Sequence, residues 1–228
     1  MNKEDNMISK GEFWKIMESY GAIIWPIQFI LYFIALLMIA WLIIKPGNVQ
    51  NVILKIYLAI VFAWNSLFFY LLYAKGMAGN SMGSYFNGFM FLLVSILFIF
   101  DIFKNEMVFI LPKKGWPNLV TYTLITLVFL YPLLGIISGY NLSSLIMPGA
   151  YPCPTTAFAI LVLIHGLPKI NKVIFVILLF CAIPFTPFMQ IAQYGVYEDI
   201  ILFVSGIYGL IMLIRYWKKP KLQMIPEK

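Results

Sequence analysis

The residues with the clearest chemical potential lie in one proline-rich stretch, Met147-Pro148-Gly149-Ala150-Tyr151-Pro152-Cys153-Pro154-Thr155-Thr156. Tyr151 and Cys153 each precede a proline, which favours an extended backbone, and Pro154 suits the first residue of a helix. This spacing predicts that Cys153 caps a helix at the positive end of its dipole, where a thiol ionises more readily. One hypothesis is a reactive or metal-binding thiol open to the outside. The alternative is a small, buried, inert cysteine, which is the commoner role of an unpaired cysteine.

Other polar or helix-breaking residues fall inside long apolar runs. Trp64 and Asn65 lie in the middle of one run, and proline motifs at residues 131–132 and 184–187 interrupt two others. A proline inside a helix leaves a carbonyl without its amide partner, and such a carbonyl can bind a cation or form a hinge. Fixed kinks and interhelical hydrogen bonds are the ordinary alternative. The candidates for lining a binding cavity are Tyr151, Pro152, Cys153, Pro154, Thr155, Trp64, Asn65, Tyr131, Pro184 and Thr186.

The sequence offers little support for an enzyme or a metal site. Its only histidine, His165, lies near the end of an apolar run, and no charged residue lies at mid-depth in any run, which argues against a proton relay. Cys153 and Cys181 lack metal-ligand spacing and should differ in depth, so we expect no disulfide between them. We therefore predict no catalytic residue, no cofactor and no metal site.

Composition indicates a membrane protein. Of the 228 residues, 62% are hydrophobic and 11% are charged, whereas a soluble domain carries about 25% charged residues. The apolar runs are close to the ~20 residues that cross a bilayer as a helix. The predicted fold class is an all-α, polytopic membrane helix bundle, located in the cell membrane with the lipid bilayer as its partner. The net charge of +7 does not indicate nucleic-acid binding, because the cations lie in short loops and the tail.

Apolar periodicity and turn residues predict a single transmembrane domain over residues 1–228. Ser9 and Glu12 fit a capping box that begins an amphipathic interfacial helix at residues 9–20, which Gly21 ends or turns into the first span. The predicted spans are residues 22–44, 52–73, 85–103, 117–137, 154–167, 173–192 and 200–217. The fifth is only ~21 Å long at 1.5 Å per residue, so we predict a re-entrant lead-in, residues 145–153, at membrane depth.

The distribution of cations predicts an orientation. With seven spans, one side carries Lys3, Lys10, Lys15 and Lys75, and the other side carries the remaining twelve of the sixteen Lys and Arg residues. Lys55, near the end of the second span, is expected to extend its amine to the membrane interface. Because the side richer in Lys and Arg is cytoplasmic, we expect the N-terminus outside and the C-terminus inside. The proline-rich stretch and the acidic pair Glu198-Asp199 then lie on the outer side.

Three short motifs carry a family resemblance: Tyr20-Gly21-Ala22-Ile23-Ile24-Trp25-Pro26-Ile27-Gln28, Tyr131-Pro132-Leu133-Leu134-Gly135 and Pro152-Cys153-Pro154-Thr155-Thr156-Ala157-Phe158. Their order and spacing over nearly the whole chain resemble the domain of unknown function 6064 family of small bacterial multi-pass membrane proteins. The second span departs from the family pattern, which is richer there in Trp, His and Arg. The resemblance implies an integral membrane protein and implies no activity.

Three functions remain open at this point. A transporter or channel-like protein for a small neutral solute or a cation, with an outward-facing cavity, is favoured slightly by the short fifth span and the proline-interrupted fourth and sixth spans. A membrane binding, accessory or sensor protein that transports nothing is a close alternative. A membrane enzyme that uses Cys153 is the third and least favoured hypothesis.

Overall fold

Helices follow one another along the chain, and no strand occurs in residues 8–74, 81–110 and 116–217, which the computed structural model describes. The α-helices are α1 (Lys10–Ile44), α2 (Asn48–Trp64), α3 (Ser81–Lys104), α4 (Trp116–Phe129), α5 (Tyr131–Ile137), α6 (Pro152–Ile164), α7 (Lys172–Phe180) and α8 (Ile200–Tyr216). Helix α2 continues as a π-helix over Asn65–Tyr73, and α7 continues as one over Cys181–Gln193. Single 3-10 turns lie at Leu142–Ser144 and Tyr197–Asp199. The predicted all-α fold class is confirmed.

Several helical segments are long and apolar enough to cross a membrane. Within the described chain these are Lys10–Ile44, Asn48–Tyr73, Met82–Lys104, Lys172–Gln193 and Tyr197–Tyr216. Helices α4 and α5 meet at an angle of 55° and add a sixth crossing if they form one broken span. Helix α6, with 13 residues, is too short to cross unaided. Length and composition therefore give five or six spans, compared with the seven expected from the sequence.

Helix α1 is one continuous helix of 35 residues. The predicted capping box at its start is confirmed, because Glu12 N–H donates to Ser9 Oγ at 3.3 Å and Ser9 N–H donates to Glu12 Oε2 at 2.8 Å. Residues 9–20 are the first turns of α1 and do not form the separate helix that was expected. Gly21 does not break α1; a Cβ at this position would lie 1.6 Å from the Ser143 carbonyl oxygen, so glycine permits close packing.

The two ends of the bundle are distinguished by their contacts. At the end that we call the N end, the start of α1 meets the end of the second π-helix, where the rings of Phe13 and Tyr194 stack at 4.3 Å. At the opposite end, the C end, the Lys172 amine lies 4.1 Å from the ring of Trp217. The Ile110 amide also donates to the His165 carbonyl there at 3.3 Å. Each end therefore brings together segments that are far apart in sequence.

A buried ion pair lies toward the C end. Lys55 Nζ is 2.6 Å from Asp101 Oδ2 and donates to Asn105 Oδ1 at 3.1 Å. The Met107 amide donates to both Asp101 carboxylate oxygens at 3.3 Å. The sequence-based expectation for Lys55 was wrong: the residue is 0% exposed. Its amine stays inside because the chain after α3 folds over the end of the bundle and supplies partners.

The same chain segment is fastened to α2 by Asn51. Asn51 Oδ1 accepts from the Phe109 amide at 2.5 Å, and Asn51 Nδ2 donates to the Phe109 carbonyl at 3.4 Å. The Phe109 and Met107 side chains are buried. This segment therefore closes the C end, and the buried amides of Met107 and Phe109 have partners, as buried backbone requires.

Described cations are concentrated at the C end. Those at the N end are Lys10 and Lys15, whereas the C end carries Lys45, Lys55, Lys104, Lys169, Lys172 and Arg215. The other cations of the sequence-based count lie outside the described residues: Lys3, Lys75, Lys113, Lys114, Lys218, Lys219, Lys221 and Lys228.

Helix α6 is the central element of the bundle. Every residue of this helix except Cys153 is buried, and it packs against α2, α4, α7 and α8. The preceding residues from Leu145 to Tyr151 are also buried, without helical structure over most of their length. A non-helical segment thus enters the interior ahead of α6 and brings the start of that helix away from the surface.

Candidate functional site

A cavity of about 490 Å³ lies at the N end of the bundle. Its walls come from the start of α1, both π-helices, the start of α3, the start of α6 and the segment that leads into α8. The lining residues are Phe13, Met17, Phe69, Tyr70, Ala74, Met82, Gly83, Ser84, Phe86, Asn87, Phe91, Ile146, Tyr151, Pro152, Cys153, Thr156, Cys181, Phe185, Thr186, Met189, Gln190, Tyr194, Val196, Asp199 and Leu202. The walls are mainly apolar and aromatic, as in many small-molecule sites.

The start of α6 places Cys153 at the cavity. Tyr151, with φ −115° and ψ 144°, is the N-cap residue, and Pro152 is the first helical residue. The prediction that Cys153 itself caps the helix was therefore wrong by two positions. Proline is tolerated throughout the first turn, where amides have no intrahelical partner, so the helix begins at Pro152 and includes Pro154. Cys153 lies in this first turn and is the one partly exposed residue of α6.

The part of the lead-in before α6, residues 145–151, is fixed by three hydrogen bonds from two side chains, Thr155 of α6 and Asn65 of the first π-helix. The Gly149 amide donates to Thr155 Oγ1 at 2.8 Å, and the same hydroxyl donates to the Tyr151 carbonyl at 2.5 Å. Asn65 Nδ2 donates to the Gly149 carbonyl at 3.0 Å. Gly149 has φ +91°, and a Cβ there would lie 2.6 Å from the Tyr57 hydroxyl. Only glycine fits this turn, for both conformational and steric reasons.

A second chain of hydrogen bonds joins α2 and α1 to the lead-in. Trp64 Nε1 donates to the Tyr20 hydroxyl at 3.0 Å, and that hydroxyl donates to the Ala150 carbonyl at 2.9 Å. Tyr20 also packs edge-to-face on Tyr151 at 5.2 Å. Trp64 and Asn65 therefore act as supports for the lead-in, and neither lines the cavity.

Asp199 is the acidic residue of the cavity wall and is 0% exposed. The Tyr131 hydroxyl donates to Asp199 Oδ1 at 3.4 Å, a long hydrogen bond. The Cys153 thiol, a weak donor, lies beside the carboxyl group. Asp199 Oδ2 has no hydrogen-bond partner in the described part of the chain. An acceptor that is buried and unpaired is costly, so this oxygen is available to a donor that enters the cavity.

The position of Asp199 departs from what its local sequence indicates. It is the N-cap residue of α8, a position where an Asp side chain usually accepts a backbone amide. The observed cap has no such side-chain bond, and the carboxyl group turns into the cavity. The adjacent Glu198 accepts from the Tyr140 hydroxyl at 3.4 Å and does not line the cavity. Burial and the Glu198 carboxyl group raise the pKa of Tyr140 above its usual value, so this hydroxyl remains a donor.

Cys153 and Cys181 line the same cavity, and both are free thiols. They were expected to differ in depth, and the structure places both on the wall of one cavity. No group of three His, Cys, Asp or Glu side chains in the described chain is arranged to hold a metal ion.

Both π-helices border the cavity. The first contributes Phe69 and Tyr70, and the second contributes Cys181, Phe185 and Thr186. The second begins three residues before Pro184, whose ring prevents normal α-helical hydrogen bonding. The wider turn of a π-helix changes the direction of the following side chains, and such segments are frequent at functional sites.

The structure places four of the ten candidate residues from the sequence on the cavity wall and the other six elsewhere. Tyr151, Pro152, Cys153 and Thr186 line the cavity. Tyr131 lies outside the lining and donates a hydrogen bond to Asp199. Trp64, Asn65 and Thr155 support the lead-in through hydrogen bonds. Pro154 is buried in the α6 packing, and Pro184 is exposed on the second π-helix.

Sequence reasoning missed the aromatic walls and the role of Asp199. The sequence pattern that could have indicated Asp199 is an acidic residue directly before an apolar helix and next to a second acid. That pattern is equally typical of an exposed helix cap, so the sequence did not distinguish the two positions.

Comparison with protein families identifies the family of this chain. Neither the curated proteins nor the solved structures contain a match to the chain. Residues 10–223 match a family described as a family of unknown function, DUF6064. The match includes every helix described above and all the residues of the cavity. The chain therefore belongs to the DUF6064 family.

Proposed function

We propose that the protein is an integral protein of the cell membrane that crosses the bilayer seven times, with its N end outside. Five long apolar segments support the membrane location. Helices α4 and α5 count as one broken span, and the lead-in with α6 counts as another. Non-helical backbone at membrane depth is tolerated when it is packed in protein, as the lead-in is. The excess of cations at the C end supports a cytoplasmic position for that end.

We further propose that the protein binds a small, mostly apolar molecule in the N-end cavity. The observation that carries this proposal is the unpaired Asp199 Oδ2 on the wall of a 490 Å³ cavity. A cavity of this volume accommodates a drug-sized or smaller ligand. The apolar walls supply most of the binding free energy, and the carboxyl group fixes the orientation of one polar group of the ligand.

Transport of this ligand is the second candidate function. The two π-helices line the cavity, and Tyr131, at the bend of 55° between α4 and α5, donates a hydrogen bond to Asp199 of the cavity wall. Such interruptions are typical of the moving parts of transporters. Below the cavity the α6 side chains from Ala157 to Ile164 are buried, so transport requires a second conformation that opens toward the C end.

Cysteine labelling in intact cells tests the membrane orientation and the cavity together. We would use a Cys181→Ala variant, in which Cys153 is the only thiol, and a membrane-impermeant maleimide. We expect Cys153 to be labelled in intact cells because it is partly exposed in a cavity at the outer end. Labelling of Cys153 only after the cells are permeabilised would contradict the proposed orientation.

Two controls in a cysteine-free background complete the test. Ser138→Cys lies at the exposed N end and should be labelled in intact cells. Lys45→Cys lies at the exposed C end and should be labelled only after permeabilisation. If Ser138→Cys reacts and Cys153 reacts neither with this reagent nor with the membrane-permeant N-ethylmaleimide, then the cavity is closed to water and to the bilayer, and the binding proposal fails. If Cys153 is also labelled from the C end in inside-out vesicles, the transport function gains support over simple binding.

A further inference from the structure

The described cavity lining has a single ionisable carboxyl group and no basic counterpart. Its acidic residue is Asp199, and none of its described residues is Lys, Arg or His. This differs from the C end, where Lys55 pairs with the buried Asp101 at 2.6 Å. A carboxyl group in an apolar cavity lacks the hydration that an exposed one has, and a cation brought by a ligand compensates for that loss.

Aromatic rings form much of the surrounding wall. The aromatic lining residues are Phe13, Phe69, Tyr70, Phe86, Phe91, Tyr151, Phe185 and Tyr194. The face of an aromatic ring attracts a cation, most strongly where water is excluded. The walls and Asp199 therefore favour the same kind of charge, and the rings also supply apolar contact for the rest of the ligand.

A calcium or magnesium ion does not suit this site. Calcium or magnesium takes six or more oxygen ligands, and the described residues contain no cluster of acidic, Cys or His side chains that could hold a metal ion. An organic ammonium group needs fewer oxygen partners, because its apolar substituents contact the walls. One N–H donor directed at Asp199 Oδ2 would satisfy the unpaired acceptor.

We infer that the ligand is an organic amine with an apolar body, whose ammonium group binds to Asp199 among the aromatic rings. This inference rests on the proposed binding function and specifies its ligand class. Three lining residues of α3 and the second π-helix, Met82, Phe86 and Phe185, are 77%, 46% and 39% exposed and form an apolar rim of the cavity. This apolar rim admits an amphiphilic amine from the outer half of the bilayer.

A pair of probes of nearly equal size tests the inference: 2-phenylethylamine, which is cationic at neutral pH, and 2-phenylethanol, which is neutral. The measurement is the rate at which N-ethylmaleimide labels Cys153 in the purified Cys181→Ala variant. We expect the amine to protect Cys153, and we expect the alcohol to need a concentration about 10-fold or more higher for equal protection. The labelling rate of Ser138→Cys, outside the cavity, should not change with either probe.

The adjacent acids provide matched variants. Asp199→Asn keeps the shape of the side chain and should weaken protection by the amine by about 30-fold, since removing one member of a buried charge pair is costly. Protection by the alcohol should change little. Glu198→Gln removes a neighbouring carboxyl group outside the cavity lining and should leave protection by the amine within about 3-fold of its original value.

The outcomes separate the two proposals. Protection by neither probe, while Cys153 reacts freely, contradicts the binding function itself. Equal protection by both probes supports a binding cavity and overturns the amine inference. Equal loss of amine protection in Asp199→Asn and Glu198→Gln also overturns it, because a general loss of negative charge then explains the result. If Asp199→Asn does not fold, the comparison of the two probes on the Asp199-containing protein still decides.

Discussion

Asp101 and Asp199 are both buried aspartates, and they differ in the partners that the fold gives them. Asp101 has Lys55 Nζ at 2.6 Å and the Met107 amide at 3.3 Å from both carboxylate oxygens. Asp199 has one long hydrogen bond from Tyr131 and an oxygen without a partner. The protein supplies a cation and hydrogen-bond donors to Asp101, whereas Asp199 keeps an unpaired oxygen on the cavity wall.

The difference separates a structural role from a binding role. Removing one member of a buried ion pair leaves the other charge uncompensated and destabilises the fold. The stability of the C end therefore depends on Lys55 and Asp101 being present together. An unpaired acceptor lowers stability in the absence of a ligand. Functional sites often lower the stability of the fold, and the unpaired acceptor at the N end fits a binding site of this kind.

Removing Lys55 should have the largest effect on stability. Lys55→Met keeps the length of the side chain but leaves Asp101 buried without its cation, and we expect a loss of about 3–5 kcal/mol in the free energy of unfolding. The measurement is denaturant unfolding of the purified protein in mixed micelles. Lys45→Met, at an exposed position of the same end, is the control and should change stability by less than about 0.5 kcal/mol.

The double variant Lys55→Met/Asp101→Asn sharpens this prediction. Neutralising the second partner should restore part of the lost stability, because the uncompensated charge is then absent. A double variant that is as unstable as the sum of the single variants would mean that the two residues act independently.

Asn51→Ala should have the next largest effect. The change leaves the buried Phe109 amide and carbonyl without partners, and we expect a loss of about 1–3 kcal/mol. Asn48→Ala is the matched control, since Asn48 is exposed and accepts from the Asn105 side chain at the surface. Hydrogen exchange of the Phe109 amide should increase in the first variant. Unchanged exchange would show that Asn51 does not hold this segment in place.

Asp199→Asn should have the smallest effect on stability in the absence of ligand. The amide retains the shape and can still accept from Tyr131, and no ion pair is lost, so we expect a change within about 1 kcal/mol. Unfolding under the conditions used for Lys55→Met gives a direct comparison. A loss as large as that of Lys55→Met would remove the distinction between the two aspartates and would assign Asp199 a structural role.

Local sequence patterns were sufficient to predict the helical fold and several of the helix boundaries. The capping box at Ser9 and Glu12 is formed as expected, and the broken segment next to Pro132 coincides with the bend between α4 and α5. These features depend on residues within one or two turns of each other. The proline-rich stretch indicated irregular backbone for the same reason, although the first residue of α6 differed by two positions.

The residues that line the cavity were harder to predict from the sequence. Four of its lining residues were identified from the proline-rich stretch and the interrupted sixth span, whereas Asp199 was not. Asp199 contacts Tyr131 and Cys153, which are far from it in the sequence. No local pattern fixes the direction of an N-cap carboxyl group once a cavity competes with the backbone amides for it.

The sequence by itself determined a chain of long apolar helices, their interruptions and the unequal distribution of cations. Only the tertiary structure decided which buried acid is paired, that Cys153 and Cys181 share one cavity, and that Lys55 is internal. The physical reason is range: helix formation and capping depend on neighbouring residues, whereas pairing of buried charges depends on which segments the packing brings together. Asp101 and Asp199 are the same residue type, and their partners alone make one a support of the fold and the other the proposed anchor of a ligand.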